Sequence, residues 1–194
     1  LGLYSSTDLD SAEEAVRRAL ERLDFSWLGH GDAVFVKLAC NSGHAHPAVT
    51  SPAAVMALCE ELFARGAGRV VVGDQAGVES VRLAEGELRY GSTRALMESN
   101  GLYEAIVASG AESHFFDDQG YEDGYFEATP PAGHHWARPL MLPRILREVD
   151  HIAYLPRLGS HALTGHTHGL KCAVGWLRDD SRHHLHNDAA SLHE

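Results

Sequence analysis

The order of apolar and polar positions divides the chain into alternating helices and short buried strands. Ser11-Ala12-Glu13-Glu14 is a capping box, and Ala12, Ala15, Val16, Ala19, Leu20 and Leu23 follow at helical spacing, which predicts a first helix. After Gly31 the apolar run Ala33-Val34-Phe35-Val36 is short and continuous, as a strand covered on both faces should be, and Lys37 ends it. Ser51-Pro52 supplies an N-cap followed by proline at the first helical position, so a second helix runs to Arg65 and stops at Gly66. Arg69 to Val72 repeats the buried-strand pattern and Gly73-Asp74 closes it. The resulting strand, helix, strand unit has the length of a right-handed parallel crossover.

From Gln75 to Tyr90 the periodicity weakens. Ser92 or Thr93 then opens a helix through Ser99 with Gly101 as its stop, Tyr103 to Ser109 reads as a short helix, and Glu112 to Phe116 as a strand. Residues 117–137 mix acidic residues, Gly, Pro and aromatics without a period, which predicts a surface insertion or lid. Leu140 to Leu142 fits a short strand, Pro143 to Val149 a helix starting on proline, and His151 to Leu155 a third strong strand. The expected architecture is one α/β domain over residues 1–194. It has three layers: a mainly parallel open sheet, flanking helices and an irregular acidic insertion. Ligands of such sheets bind beyond the carboxyl ends of the strands, and three of these ends carry Lys37, Asp74 and the segment after Leu155.

That last segment changes the picture most. His161, His166, His168 and Lys171 sit among Gly, Thr, Leu, Ala and Val, with no acidic residue between Arg157 and Arg178. If Leu163 to Gly175 is helical, Thr164, His168, Lys171 and Gly175 share one face and His166 points elsewhere. Imidazole serves as acid, base or metal ligand near neutral pH, and a lysine in apolar surroundings can become a nucleophile. Single histidines are ordinarily solvent-facing or satisfied by one hydrogen bond, and Lys171 could simply snorkel from a helix. The cluster with its lysine is what points to a site. His161, His168 and Lys171 are therefore the catalytic candidates.

Three further groups are weighed beside it. Lys37 precedes a loop with His44 and His46, which can converge on an anion or a metal, and Thr50-Ser51 offers hydroxyls at a helix start. Lys37, His46, Thr50, Ser51 and Asp74 are the substrate-binding candidates, against the plainer readings of Thr50-Ser51 as a cap and Asp74 as a turn residue. Asp179, Asp180, His183, His184 and His186 form a compact run of oxygen and nitrogen donors that reads equally as a solvated loop. From the histidines, His166, His184 and His186 are taken as candidate ligands of a divalent metal ion.

Composition narrows the classes. The formal charge is −11, from 27 acidic and 16 basic residues without a basic run, which argues against nucleic acid and anionic membranes as partners. No apolar stretch has the length of a membrane span, so a soluble chain, cytoplasmic by default, is expected. The chain begins with Leu1, which leaves a processed leader open, as is a homo-oligomer. Cys40, Cys59 and Cys172 are too few for an iron–sulfur cluster and fit a reducing compartment. Gly73-Asp74-Gln75-Ala76-Gly77 is not GxGxxG, and GK[ST], HEXXH and GxSxG are absent, so no NAD, ATP, zincin or serine-hydrolase motif is present.

Taken together, Val34-Phe35-Val36-Lys37, His46 to Pro52, Val70-Val71-Val72-Gly73-Asp74 and Leu155-Pro156 to Gly175 resemble the uncharacterised family called domain of unknown function 362. In that family the first strand continues as lysine, proline, asparagine, whereas this chain has Lys37-Leu38-Ala39-Cys40-Asn41. The late glycine-leucine-lysine-asparagine run is here Gly169-Leu170-Lys171-Cys172, and Arg157 and Ser160-His161 replace the lysine and histidine before it. Family members continue past the Arg182 to His186 segment, so the resemblance implies a missing C-terminal part. A more distant similarity to the nickel-pincer lactate racemase implies His161 as acid/base, Lys171 as cofactor anchor and His184 or His186 as metal ligand. Residues Gly73 to Val78 lack that enzyme's other histidine. The expected function is a metal-assisted reaction on a small anionic molecule such as a carboxylate or hydroxy acid. The alternative is a non-catalytic metal- or ligand-binding accessory module.

Overall fold

The computed structural model describes residues 12–130, 136, 138–161, 165–167 and 169–187. In chain order its helices and strands are α1 (Ala12–Leu20), β1 (Ala33–Lys37), α2 (Pro52–Ala64), β2 (Arg69–Asp74), β3 (Arg82–Ala84), β4 (Glu87–Tyr90), α3 (Thr93–Asn100), α4 (Leu102–Ala108), β5 (Glu112–Phe115), β6 (Tyr125–Ala128), β7 (Leu140–Pro143), β8 (His151–Tyr154), β9 (Gly159–His161), β10 (Gly165–Thr167), α5 (Gly169–Cys172) and α6 (Asp179–Asn187). Ser11 of the capping box lies outside the described residues.

The helix ends follow local chemistry. Pro52 starts α2 after the extended Ser51, and Gly66, at φ 102°, ends it where a residue with a side chain would be strained. Ser92 caps α3 by accepting a hydrogen bond from the Ala95 N–H at 3.2 Å, and the left-handed Gly101 separates α3 from α4.

A four-stranded sheet in the order β5-β2-β1-β8, all parallel, forms the middle layer. The chain builds outward from β1 to β2 and β5, then returns to β1's other side as β8. The reversal lies between β1 and β8, where Lys37 is in register with Tyr154. Alternating side chains serve two cores. Val34, Val36, Val70 and Val72 pack with Val55, Leu58, Leu62, Leu102 and Ile106 of α2 and α4. Phe35 and Val71 face Leu83, Phe116, Tyr125, Ile145 and Trp176. Each such fully buried side chain contributes about 1.5–3 kcal/mol of transfer free energy.

The expected three-layer α/β fold is present, but the layers differ in kind. Helices cover the first face. The second is covered by the β6–β7 hairpin, 3₁₀ turns at Phe116–Gln119, Arg144–Arg147 and Ala173–Trp176, and the C-terminal segment. The described part of the expected insertion is therefore partly core, since Tyr125 is fully buried. The helix expected from Pro143 is only a 3₁₀ turn. Among the described residues, the helix expected over Leu163 to Gly175 gives way to β10, paired antiparallel with β9, followed by the short α5 and a 3₁₀ turn; Thr164 lies outside the described residues. The unpatterned stretch after Gln75 forms the β3–β4 hairpin. Among the described residues no helix is long and apolar enough to cross a membrane.

Candidate functional site

The two ends of the sheet do different work. At the amino ends, Arg69 pairs with Glu112, the Asp32 carboxylate lies 2.8 Å from His151 Nε2, and the Ala33 N–H donates to Asp150. These contacts tie neighbouring strands together. At the carboxyl ends a cavity of about 560 Å³ opens, lined by Lys37, Leu38 and Ala39 after β1, Asp74 and Gln75 after β2, Pro156 and Arg157 after β8, and Lys171, Cys172, Gly175, Arg182, His183 and His186 from the late segment. It lies at the reversal of strand order, where open α/β sheets place ligands.

Trp176 fixes the late segment there. Its ring packs 4.9 Å from Phe35 and 5.4 Å from Phe116, and its indole N–H donates to the Tyr154 hydroxyl at 2.8 Å. Lys171 and Gly175 are thereby held over the strand ends. Gly175 is required by close approach, since a Cβ would lie 2.5 Å from Lys37 Nζ and 3.2 Å from Asp74 Oδ1.

Lys37 and Asp74 form an ion pair in the cavity wall, with side chains only 1% and 3% exposed. Lys37 also donates to the Leu38 carbonyl at 3.0 Å and lies 5.8 Å from the Trp176 ring centroid. Asp74 accepts further from the Cys40 and Gln75 N–H groups, each at 2.8 Å. Such a pair survives burial because its remaining donors and acceptors are satisfied.

Arg182, missed in the sequence as a site residue, is buried and satisfied by backbone. Its guanidinium donates to the carbonyls of Leu177, Ala76, Gly175 and, at 3.5 Å, Gln75, stapling the loop after β2 to the turn before α6. Gln75 extends this support: its amide N–H donates to Asp179 Oδ1 at 2.8 Å, and its carbonyl oxygen accepts from the Tyr125 hydroxyl at 2.6 Å. The Leu83 N–H also donates to Asp179, yet burial still raises that carboxyl's pKa.

Lys171 stands apart. Half-buried, it has no hydrogen bond or ion pair to another described residue. Its pKa is lowered from 10.5, first by desolvation and then by Arg182, with Cys172 opposing and Lys37 adding to the shift. The Cys172 thiol is no rival: it donates to the Leu38 carbonyl at 3.2 Å, and burial raises its pKa.

Of the residues singled out from sequence, Lys37, Asp74, Lys171, His183 and His186 line this cavity. His186 Nδ1 lies 2.7 Å from the Arg182 carbonyl. The structure does not bring His46, Thr50 or Ser51 to it. His46 is exposed with Nδ1 3.2 Å from the Val49 carbonyl, and Ser51 only occupies the N-cap of α2. Thr50 Oγ1 accepts from the Ala39 N–H and donates to the Leu155 carbonyl, joining the ends of β1 and β8. His166 is exposed on β10, and His184 packs 5.8 Å from the Trp136 ring away from the cavity, so these two and His186 do not converge. No group of three or more His, Cys, Asp or Glu among the described residues is arranged to hold a metal. His161 is placed only as the last residue of β9, and His168 lies outside the described residues.

Asp179, Ser181, Arg182 and Leu185 are buried on α6, the run read above as ligands or a loop. Their helical spacing was hidden because three of the four inward positions are polar.

No curated protein matches the chain. No solved structure matches it either. A family described as a domain of unknown function (DUF362) matches residues 34–194, a span that includes every residue lining the cavity, and the chain belongs to that family.

Proposed function

We propose that the cavity binds a small anion, such as a carboxylate or hydroxy acid, and that Lys171 contacts it. The observation that carries this reading is a cavity lined by Lys37, Arg157, Lys171 and Arg182 against Asp74 and Glu79, in a chain whose overall charge is −11. Asp74 neutralises Lys37 and carbonyls occupy Arg182, which leaves Lys171 and Arg157 to meet a ligand. Among the described residues no group of three or more His, Cys, Asp or Glu is arranged to hold a metal, so the reading rests on the cations of the cavity.

An anion beside Lys171 favours its protonated form, so binding above the free protein's lowered pKa takes up a proton. The test is calorimetric titration of the full chain with lactate and with acetate, in buffers of different ionisation enthalpy. Saturable binding that weakens at least tenfold in Lys171→Met, with proton uptake growing as pH rises through the lowered pKa, is expected. Absence of saturable binding, or equal affinity in the variant, overturns the reading.

A further inference from the structure

The chain contains 14 arginines but only two lysines, Lys37 and Lys171, and both line the same cavity. Everywhere else a positive charge is wanted, the chain uses arginine. What lysine offers and arginine does not is an amine that can shed its proton and act as a nucleophile. Lys37 is not available for that role, being buried and bonded to Asp74 and the Leu38 carbonyl. Lys171 has neither kind of restraint among the described residues, and the cations beside it, Arg182 and Lys37, together with partial burial, favour its neutral form.

Arg157 supplies the second element. It also lines the cavity, and among the described residues its guanidinium donates only to the neighbouring Leu158 carbonyl, at a long 3.4 Å. A side chain at Gly159 would run into that guanidinium, so the glycine allows it to lie where it does. A planar fork is matched to a carboxylate, and a neutral amine to a carbonyl carbon. A ligand carrying both groups on adjacent carbons is a small 2-oxo acid, which a volume of about 560 Å³ accommodates.

Resting on the reading of this cavity as a carboxylate site, we propose that Lys171 forms a reversible imine with the carbonyl carbon of a small 2-oxo acid whose carboxylate is held by Arg157. The neutral amine adds to the carbonyl, forming an N–C bond. The carbonyl oxygen then leaves as water, carrying away both amine hydrogens, and the C=O double bond is replaced by C=N. No oxidant or reductant is required. A proton taken from solvent gives the iminium, the electron-poor form that labilises bonds on the adjacent carbons.

The test treats the full chain with pyruvate and sodium borohydride, followed by peptide mass mapping. With two lysines and the terminal amine as the only primary amines, assignment is direct. One carboxyethyl group is expected on the Lys171 peptide, and none on Lys37. Lys171→Arg should lose the adduct, because a guanidinium stays protonated and cannot add to the carbonyl. Arg157→Met should lower trapping of pyruvate at least tenfold and leave trapping of acetaldehyde, which has no carboxylate, unchanged. Carboxylate binding without a Lys171 adduct overturns the imine and spares the anion site. An adduct confined to the terminal amine, or persisting at full yield in Lys171→Arg, also overturns it. Loss of saturable carboxylate binding in the parent protein removes both readings.

Discussion

Replacing Gly175 by alanine presses a methyl group into the buried ion pair. The added carbon would sit 2.5 Å from Lys37 Nζ, 3.1 Å from Lys37 Cε and 3.2 Å from Asp74 Oδ1. A flexible lysine end would ordinarily swing aside, but this one is held by the Leu38 carbonyl, Asp74 and the face of Trp176. Asp74 is held in turn by two backbone N–H groups. Overpacking of a well-filled site costs about 1–3 kcal/mol, and separating a buried pair about 3–5 kcal/mol. The expected loss is therefore about 2 kcal/mol or more, with the upper range reached if the pair opens. In urea, with a slope of about 2 kcal/mol/M, the unfolding midpoint should fall by roughly 1 M at unchanged slope. A Lys37→Met partner closes a double-mutant cycle, and the two losses should sum to more than the double variant shows, because both act on one pair. A Gly175→Ala midpoint within about 0.2 M of the parent, or strictly additive losses, would refute the close-approach argument.

Other perturbations give distinct readouts. Asp74→Asn places an amide N–H against donors and leaves Lys37 buried without its anion, so a loss of about 3–5 kcal/mol in urea unfolding is expected; under 1 kcal/mol would contradict it. Tyr125→Phe leaves the Gln75 carbonyl without its donor and should cost about 1–2 kcal/mol with an unchanged far-ultraviolet spectrum. Lys171→Met should instead stabilise slightly, by about 0.5 kcal/mol at neutral pH, a modest figure because the half-exposed amine is screened. The folded amine's pKa lies below its unfolded value of 10.5, so folding the protonated group against burial, Arg182 and Lys37 is costly at low pH. That cost fades as pH rises through the lowered pKa and vanishes above 10.5. Parent and variant stabilities measured against pH should therefore converge on the alkaline side, and a constant difference would deny the shift its role.

The legible parts of the site are those carried by buried strands. Val34-Phe35-Val36 and Val70-Val71-Val72 announce their burial by composition, so Lys37 and Asp74 could be placed at strand ends without coordinates. Lys171 was legible as a lone cation in apolar sequence. Arg182 and Gln75 were not, because their partners are backbone carbonyls and side chains as much as 107 positions away. Arg157 entered only as a bound of the acid-free stretch and a motif position, and Gly175 only as a position on the helix face expected around Lys171. Thr50 was read as a ligand-facing hydroxyl because the carbonyl of Leu155 that it satisfies comes 105 residues later.

What the sequence alone determined is local: which runs are covered on both faces, where helices begin at Ser51-Pro52 and Ser92 and stop at Gly66 and Gly101, and which residues carry ionisable chemistry. Periodicity and capping are short-range effects, so they leave their mark in neighbouring residues. The tertiary structure decided which charges cancel and which remain available. Asp74 meets Lys37 because parallel pairing sets Gly73 beside Lys37, and Lys171 reaches the same cavity because Trp176 is pinned against Phe35 and Phe116. Charge neutralisation depends on distance in space, and distance in space between remote segments is fixed only once the sheet order and the two cores have formed.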